Sequence, residues 1–94
     1  GTVEELAKAV KSAAMEISWE RMDEYLRKFP NGAAKKRLGY LFETLVPSLP
    51  TPAHELLESW QQALSAGVAL LQPAGRRAGK IVTRWRILIN AEVS

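Results

Sequence analysis

Apolar residues recur through the first two thirds of the chain at the three- to four-residue spacing of amphipathic helices. The pattern predicts four helices, at about residues 3–14, 19–29, 33–46 and 52–66. Turn and capping residues separate them: Ser18 as an N-cap, Pro30 as a stop, and Asn31 in a turn before the third helix. Thr51 as N-cap and Pro52 at the first helical position predict the start of the fourth helix.

One residue stands out within these helices. Gly39 lies in the middle of the third predicted helix, where glycine costs about 1 kcal/mol relative to alanine. We therefore expect Gly39 to allow a close contact between this helix and another helix or a strand.

The hydrophobic period changes from helical spacing to alternation in the last third of the chain. A short apolar run at 68–71 and an alternating stretch at 81–91 both indicate β-strands. The intervening residues 73–80 are basic and contain two glycines, so they predict a long hairpin tip. We therefore expect a single α+β domain, mostly α. Its four helices precede a C-terminal β-hairpin that packs on them or completes a small antiparallel sheet.

Charge is unevenly distributed along the chain. The net charge is +3, but residues 1–59 hold eight Lys or Arg against nine Asp or Glu. Residues 60–94 hold five basic residues, and Glu92 is their only acidic residue. A basic C-terminal segment predicts an anionic partner.

Two groups of basic residues are candidates for contact with nucleic acid or another partner. If the strand alternates without a bulge, its basic residues share one face, and such a row can follow a phosphate backbone. Charged residues also commonly protect edge strands, so this alternative stays open. The second group begins the third helix, where a second phosphate contact and a solvated face are both possible. The candidates are Arg76, Arg77, Lys80, Arg84 and Arg86 in the first group, and Lys35, Lys36 and Arg37 in the second.

Catalytic chemistry finds little support in the sequence. The chain has no cysteine, and one histidine, His54, rules out a multi-histidine metal site. The glycines at 75 and 79 followed by Lys80 are one residue too close for a phosphate-binding P-loop, and a strand follows them instead of a helix. We expect a non-enzymatic domain without cofactor or metal. We also expect neither a membrane span nor a signal peptide, since no apolar run is long enough and the N-terminus is polar.

Three separate stretches together resemble the C-terminal domain of AbiEi-type antitoxins. Residues 32–43, GAAKKRLGYLFE, are similar to the family's RLGYLLE helix, and residues 17–26, ISWERMDEYL, to the helix before it. Leu70-Leu-Gln-Pro73, Gly79 and residues 85–90, WRILIN, resemble the closing LDP…G…W.L.VN hairpin. The resemblance runs from about Val3 to Asn90, with Gln72 where many relatives carry Asp and Phe42 in place of the usual Leu.

The resemblance implies a bacterial, cytoplasmic antitoxin of an abortive-infection toxin–antitoxin system. Such proteins carry an N-terminal winged helix that binds promoter DNA, which the present chain lacks. Their C-terminal domain is associated with antitoxicity against a nucleotidyltransferase-like toxin and with assisting repression. A stand-alone nucleic-acid-binding module and a protein-interaction domain that binds the toxin directly remain alternatives.

Overall fold

A computed structural model describes residues 3–13, 19–28, 32–46 and 48–92. The described chain has an α+β fold in which the helices come first and a small sheet follows. Its elements are α1 (Val3–Ala13), α2 (Trp19–Arg27), α3 (Ala33–Leu45), α4 (Thr51–Gln62), β1 (Ala69–Leu70), β2 (Lys80–Val82) and β3 (Ile87–Ile89). The predicted capping residues Ser18 and Asn31 and the predicted stop Pro30 lie outside the described residues.

Helix α4 differs from its predicted bounds at both ends. It begins at Thr51 with Pro50 in the N-cap position, so Thr51 is the first helical residue and not the cap. It ends at Gln62, four residues earlier than predicted, and the Ala63 N–H donates to the Trp60 carbonyl at 3.1 Å. Gly67 lies in the following loop with a φ of +88°.

Helix α3 is the central element of the fold. It packs against α1, α4, β1 and β3, while α2 packs against α4. Leu41 and Phe42 on α3 are completely buried, and the Trp19 ring from α2 meets the Phe42 ring edge-on at 5.0 Å between centroids. Apolar side chains from all four helices and from the strands therefore share one core.

The sheet is mixed and three-stranded, in the order β1-β3-β2, where the sequence predicted a two-stranded hairpin. Strand β3 lies in the centre, antiparallel to β2 and parallel to β1. The predicted strand 81–91 is consequently wrong, because it is divided into β2 and β3 by a turn at residues 83–86. The predicted pairing of 68–71 with this strand is also corrected, since Ala69 pairs with Ile87 in parallel.

The four-residue turn between β2 and β3 has no glycine or proline to mark it. The Trp85 N–H donates to the Val82 carbonyl and the Arg86 N–H to the Thr83 carbonyl, each at 3.2 Å. Arg86 completes the turn in the left-handed region, with a φ of 52°, where a non-glycine residue is uncommon. The alternation of apolar and polar residues in the sequence therefore runs across a turn, although the chain reverses its direction there.

The close contact expected at Gly39 is present. A side-chain carbon at this position would overlap the six-membered ring of Trp85, which is completely buried between α3 and the sheet. Glycine at this point of α3 thus lets the tryptophan of the β2–β3 turn lie directly on the helix backbone.

Candidate nucleic-acid interface

The eight basic residues singled out in the sequence fall into two classes in the structure. The side chains of four of them bind other parts of the chain, and the side chains of the other four have no hydrogen bond or ion pair to a described residue. The internally bound residues are Lys36, Arg37, Arg84 and Arg86. The others are Lys35, Arg76, Arg77 and Lys80.

Arg84 lies in the β2–β3 turn and binds α3. Its Nε donates to both carboxylate oxygens of Glu43, at 3.1 and 2.9 Å. The carboxamide oxygen of Gln61 on α4 also accepts from this Nε, at 2.7 Å, in the amide orientation that satisfies both of its polar atoms. The Arg84 side chain is 59% exposed, so this ion pair is a surface contact that ties the turn to two helices.

Arg86 uses part of its guanidinium to bind the chain just after α4. One terminal nitrogen donates to the carbonyls of Leu64 at 3.2 Å and Ser65 at 2.9 Å. These carbonyls follow the C-terminus of a helix, where unpaired acceptors favour a cation. The expected row of Lys80, Arg84 and Arg86 on one strand face does not form, because only Lys80 belongs to a strand.

Lys36 is buried, against the expectation that residues 35–37 form a solvated face or a phosphate contact. Its exposed fraction is 3%, and Nζ donates to the Gly67 carbonyl at 2.9 Å. Burial lowers the pKa of Lys36 from its ordinary 10.5, and the positive charge of Arg86 lowers it further. No interpretation of the sequence anticipated this role, since nothing in it distinguishes Lys36 from its two basic neighbours.

Arg37 binds the outer edge of β1. Its Nε donates to the Leu70 carbonyl at 2.8 Å, and burial lowers the pKa of its guanidinium. Because β1 is an edge strand, this contact satisfies an acceptor that would otherwise be open to another chain. Lys35, the remaining basic residue of the group 35–37, is half-buried, and its side chain has no hydrogen bond to a described residue.

The exposed cations cluster on the segment between β1 and β2. We call residues 73–80 the basic loop; it carries Arg76 and Arg77 and ends at Lys80, the first residue of β2, and all three are exposed. The Gly75 N–H donates to the Gln72 carbonyl at 2.9 Å and forms a tight turn at the start of the loop. Gly79 has a φ of +150°, and a side-chain carbon there would overlap the Ile89 carbonyl. Glycine is therefore required where the loop enters β2.

Asn90 fastens the basic loop to the end of β3. Its Oδ1 accepts from the Gln72 N–H at 2.8 Å, and its Nδ2 donates to the carbonyls of Gln72 and Arg76, each at 2.9 Å. Gln72 takes part in these hydrogen bonds through its backbone N–H and carbonyl. The sequence offered only one signal for Asn90, which was its place in the WRILIN stretch that resembles the antitoxin hairpin.

The remaining candidate chemistry is sparse. His54 is exposed on α4 and lines a cleft of about 220 Å³ with Glu43, Glu58 and Arg84. Among the described residues, no group of three or more His, Cys, Asp or Glu side chains could hold a metal ion. Nor is any helix in that part of the chain long and apolar enough to cross a bilayer.

Trp60 and Trp85 lie in the core, while Trp19 is half-buried. The Trp60 Nε1–H donates to Asp23 of α2 at 3.0 Å, whereas the Trp85 Nε1–H is buried without an acceptor among the described residues.

Comparison with protein-family models, curated proteins and solved structures finds no match to this chain. The candidate interface therefore depends on geometry and charge alone.

Proposed function

We propose that this chain is a non-catalytic antitoxin domain that counteracts a nucleotidyltransferase-like toxin and assists transcriptional autoregulation of its operon in the bacterial cytoplasm. The proposal joins the resemblance to AbiEi-type antitoxins to the surface chemistry of the domain. Its DNA-assisting part depends on one observation. The basic loop presents Arg76, Arg77 and Lys80 to solvent, and none of the three side chains has a hydrogen-bond or ion-pair partner among the described residues.

The geometry of the basic loop suits contact with phosphates better than base recognition. Three cations on a short, fastened loop can follow a phosphate backbone, and contacts of this kind add affinity without reading sequence. Of the aromatic residues near this end of the chain, Trp85 is completely buried and offers no surface for base stacking. Sequence specificity would come from a winged-helix domain acting together with this one.

Half of the original candidate set is given a different role in this proposal. Lys36, Arg37, Arg84 and Arg86 hold the helices and the sheet together, so they contribute to promoter binding chiefly through the fold. Lys35 is half-exposed at the start of α3 and is retained as a second, weaker phosphate contact.

The alternatives predict different behaviour of the isolated chain. A stand-alone nucleic-acid-binding module binds DNA or RNA measurably without a winged helix. A domain that binds the toxin directly co-purifies with the toxin, and its basic loop then meets an acidic surface. In the proposed antitoxin, neither property is required of the 94 residues alone.

Rescue of toxin-expressing cells tests the antitoxin proposal. The cognate toxin is co-expressed with this chain and with the variant Arg76→Glu/Arg77→Glu, while Lys8→Glu/Lys28→Glu provides the charge-matched control at exposed helical positions. We expect rescue by the wild-type chain and by the control. Failure of the well-expressed, folded wild-type chain to rescue would contradict autonomous antitoxicity, and loss of rescue in the loop variant alone would assign it to the basic loop.

A further inference from the structure

Helices α2 and α4 enclose an open groove of about 490 Å³ that no described part of the chain fills. Trp19, Pro52 and Leu56 give it an apolar base. The Trp19 ring touches Phe42 edge-on and is otherwise only half-buried, so part of the indole is available from the groove. The volume lies within the range of about 300–1,000 Å³ that is typical of ligand-binding clefts.

The sides of this groove are acidic. Asp23 is already bound, since Oδ1 accepts from Trp60 Nε1 at 3.0 Å and Oδ2 pairs with Arg27 at 2.8 Å. Glu20, Glu24 and Glu55 are exposed, and their carboxylates have no hydrogen bond or ion pair to a described residue. The three unpaired carboxylates favour binding of a basic segment. The aliphatic stems and cationic groups of that segment can also pack against the indole of Trp19 at the apolar base.

The chain itself contains a segment with this chemistry. The basic loop carries three exposed cations, equal in number to the uncommitted carboxylates of the groove, on a short stretch that also includes Pro73 and Ala74. The groove is formed by α2 and α4, whereas the loop leaves the sheet that packs on α3, so the two surfaces belong to different layers of the molecule. We propose that the groove receives the basic loop of a second copy of this chain.

The contact joins the loop of one copy to the groove of the next. A dimer joined by one such contact has one free loop and one free groove, so association continues into short chains of molecules unless it closes into a ring, the smallest of which is a two-fold dimer with two reciprocal contacts. Exposed charge pairs are individually weak and are screened by salt, so the association is concentration-dependent and is lost at high ionic strength. If the loop also contacts DNA, as proposed above, DNA and a second copy compete for it.

Sedimentation velocity of the wild-type chain and two double variants tests the proposal. Glu20→Gln/Glu24→Gln removes groove charge, and Arg76→Gln/Arg77→Gln removes loop charge. We expect the wild type to associate at about 0.05 M salt and to become monomeric near 1 M, where the screening length is about 3 Å. Each variant alone is expected to remain monomeric at low salt. Their equimolar mixture is expected to form a heterodimer that grows no further, since it combines one intact groove with one intact loop.

Matched variants separate this interface from general charge effects. Two control variants remove equal numbers of negative or positive charges at exposed positions outside the loop and the groove: Glu4→Gln/Glu58→Gln and Lys8→Gln/Lys28→Gln. We expect both to associate like the wild type. A wild-type chain that stays monomeric at low salt and high concentration would overturn the proposal. So would association that survives both interface variants, or a mixture that fails to form the heterodimer. None of these outcomes depends on DNA or toxin, so they leave the antitoxin proposal to its own test.

Discussion

Gly39 shows how one residue without a side chain allows the β2–β3 turn to pack closely on α3. The absence of a side chain lets Trp85 lie on the backbone of α3, and no part of the indole remains exposed. The sequence predicted that some element would approach this glycine closely. It could not identify the element, because Trp85 is 46 positions away in the chain and lies in an unrecognised turn.

We predict that Gly39→Ala destabilises the fold by about 1–3 kcal/mol, although alanine is the better helix former by about 1 kcal/mol. The added carbon overlaps an aromatic ring that is completely buried. The urea midpoint of unfolding measures the effect, and Thr44→Ala, at an exposed position on the same helix, is the control. A Gly39→Ala protein as stable as the wild type would show that the close approach does not occur.

Lys36 gives the stability a specific dependence on pH. Its pKa in the folded state is lowered below 10.5, so between the lowered value and 10.5 the unfolded chain binds more protons than the folded one. Stability contributed by this group therefore rises with pH through that window, because the penalty on the buried charge is relieved.

The difference in unfolding free energy between the wild type and Lys36→Met isolates this contribution. We predict that the difference shifts in favour of the wild type as the pH rises from neutral towards 10. Other titrating groups cancel in the difference, and Lys8→Met, at an exposed position, should show no such trend. A difference that is flat, or that moves the other way, would contradict the burial of Lys36.

At the scale of elements, the helices could be predicted far better than the sheet. Helical periodicity and the prolines near residues 47–52 mark local events, which a sequence displays directly. The division of the predicted strand into β2 and β3 had no local signal, because residues 83–86 contain neither glycine nor asparagine and Arg86 adopts the left-handed conformation. The parallel pairing of β1 with β3 is a long-range event that periodicity does not encode.

The misread turn also explains why the candidate site was only partly predicted. Arg84 and Arg86 looked like residues of a strand face, but the turn directs them to Glu43 and to the carbonyls of Leu64 and Ser65. The sequence placed Arg76, Arg77 and Lys80 at an exposed loop tip, and in the structure all three are exposed, with Lys80 as the first residue of β2.

We predict that Asn90→Ala releases the basic loop without unfolding the helices. The substitution removes three hydrogen bonds, each contributing about 0.5–1.5 kcal/mol, which fasten Gln72 and Arg76 to the end of β3. Amide hydrogen exchange should accelerate at Gln72 and Gly75 and stay unchanged at Leu41 and Phe42. Unchanged exchange at Gln72 and Gly75 would show that another contact holds the loop.

At the scale of the whole molecule, charge is divided between fastening the fold and facing solvent. Lys36 and Arg37 on α3, with Arg84 and Arg86 in the C-terminal third, join the helices to the loops and strands that follow them, so two of the five cations of that third are used internally. The basic loop is the concentrated positive surface that remains, and the α2–α4 groove is its acidic counterpart. Net charge counted along the sequence therefore overstates how many cations can reach a phosphate.

The salt dependence of promoter binding tests this division of charge most directly. In the proposed antitoxin, in which this chain would act together with a winged-helix domain, each phosphate contact contributes about 0.9 to the slope of log K against log salt concentration. We predict that Arg76→Gln/Arg77→Gln reduces the magnitude of that slope by about 1.8, while Lys8→Gln/Lys28→Gln leaves it unchanged. A slope unaffected by loss of Arg76 and Arg77 would contradict the assignment of the basic loop to phosphate contact.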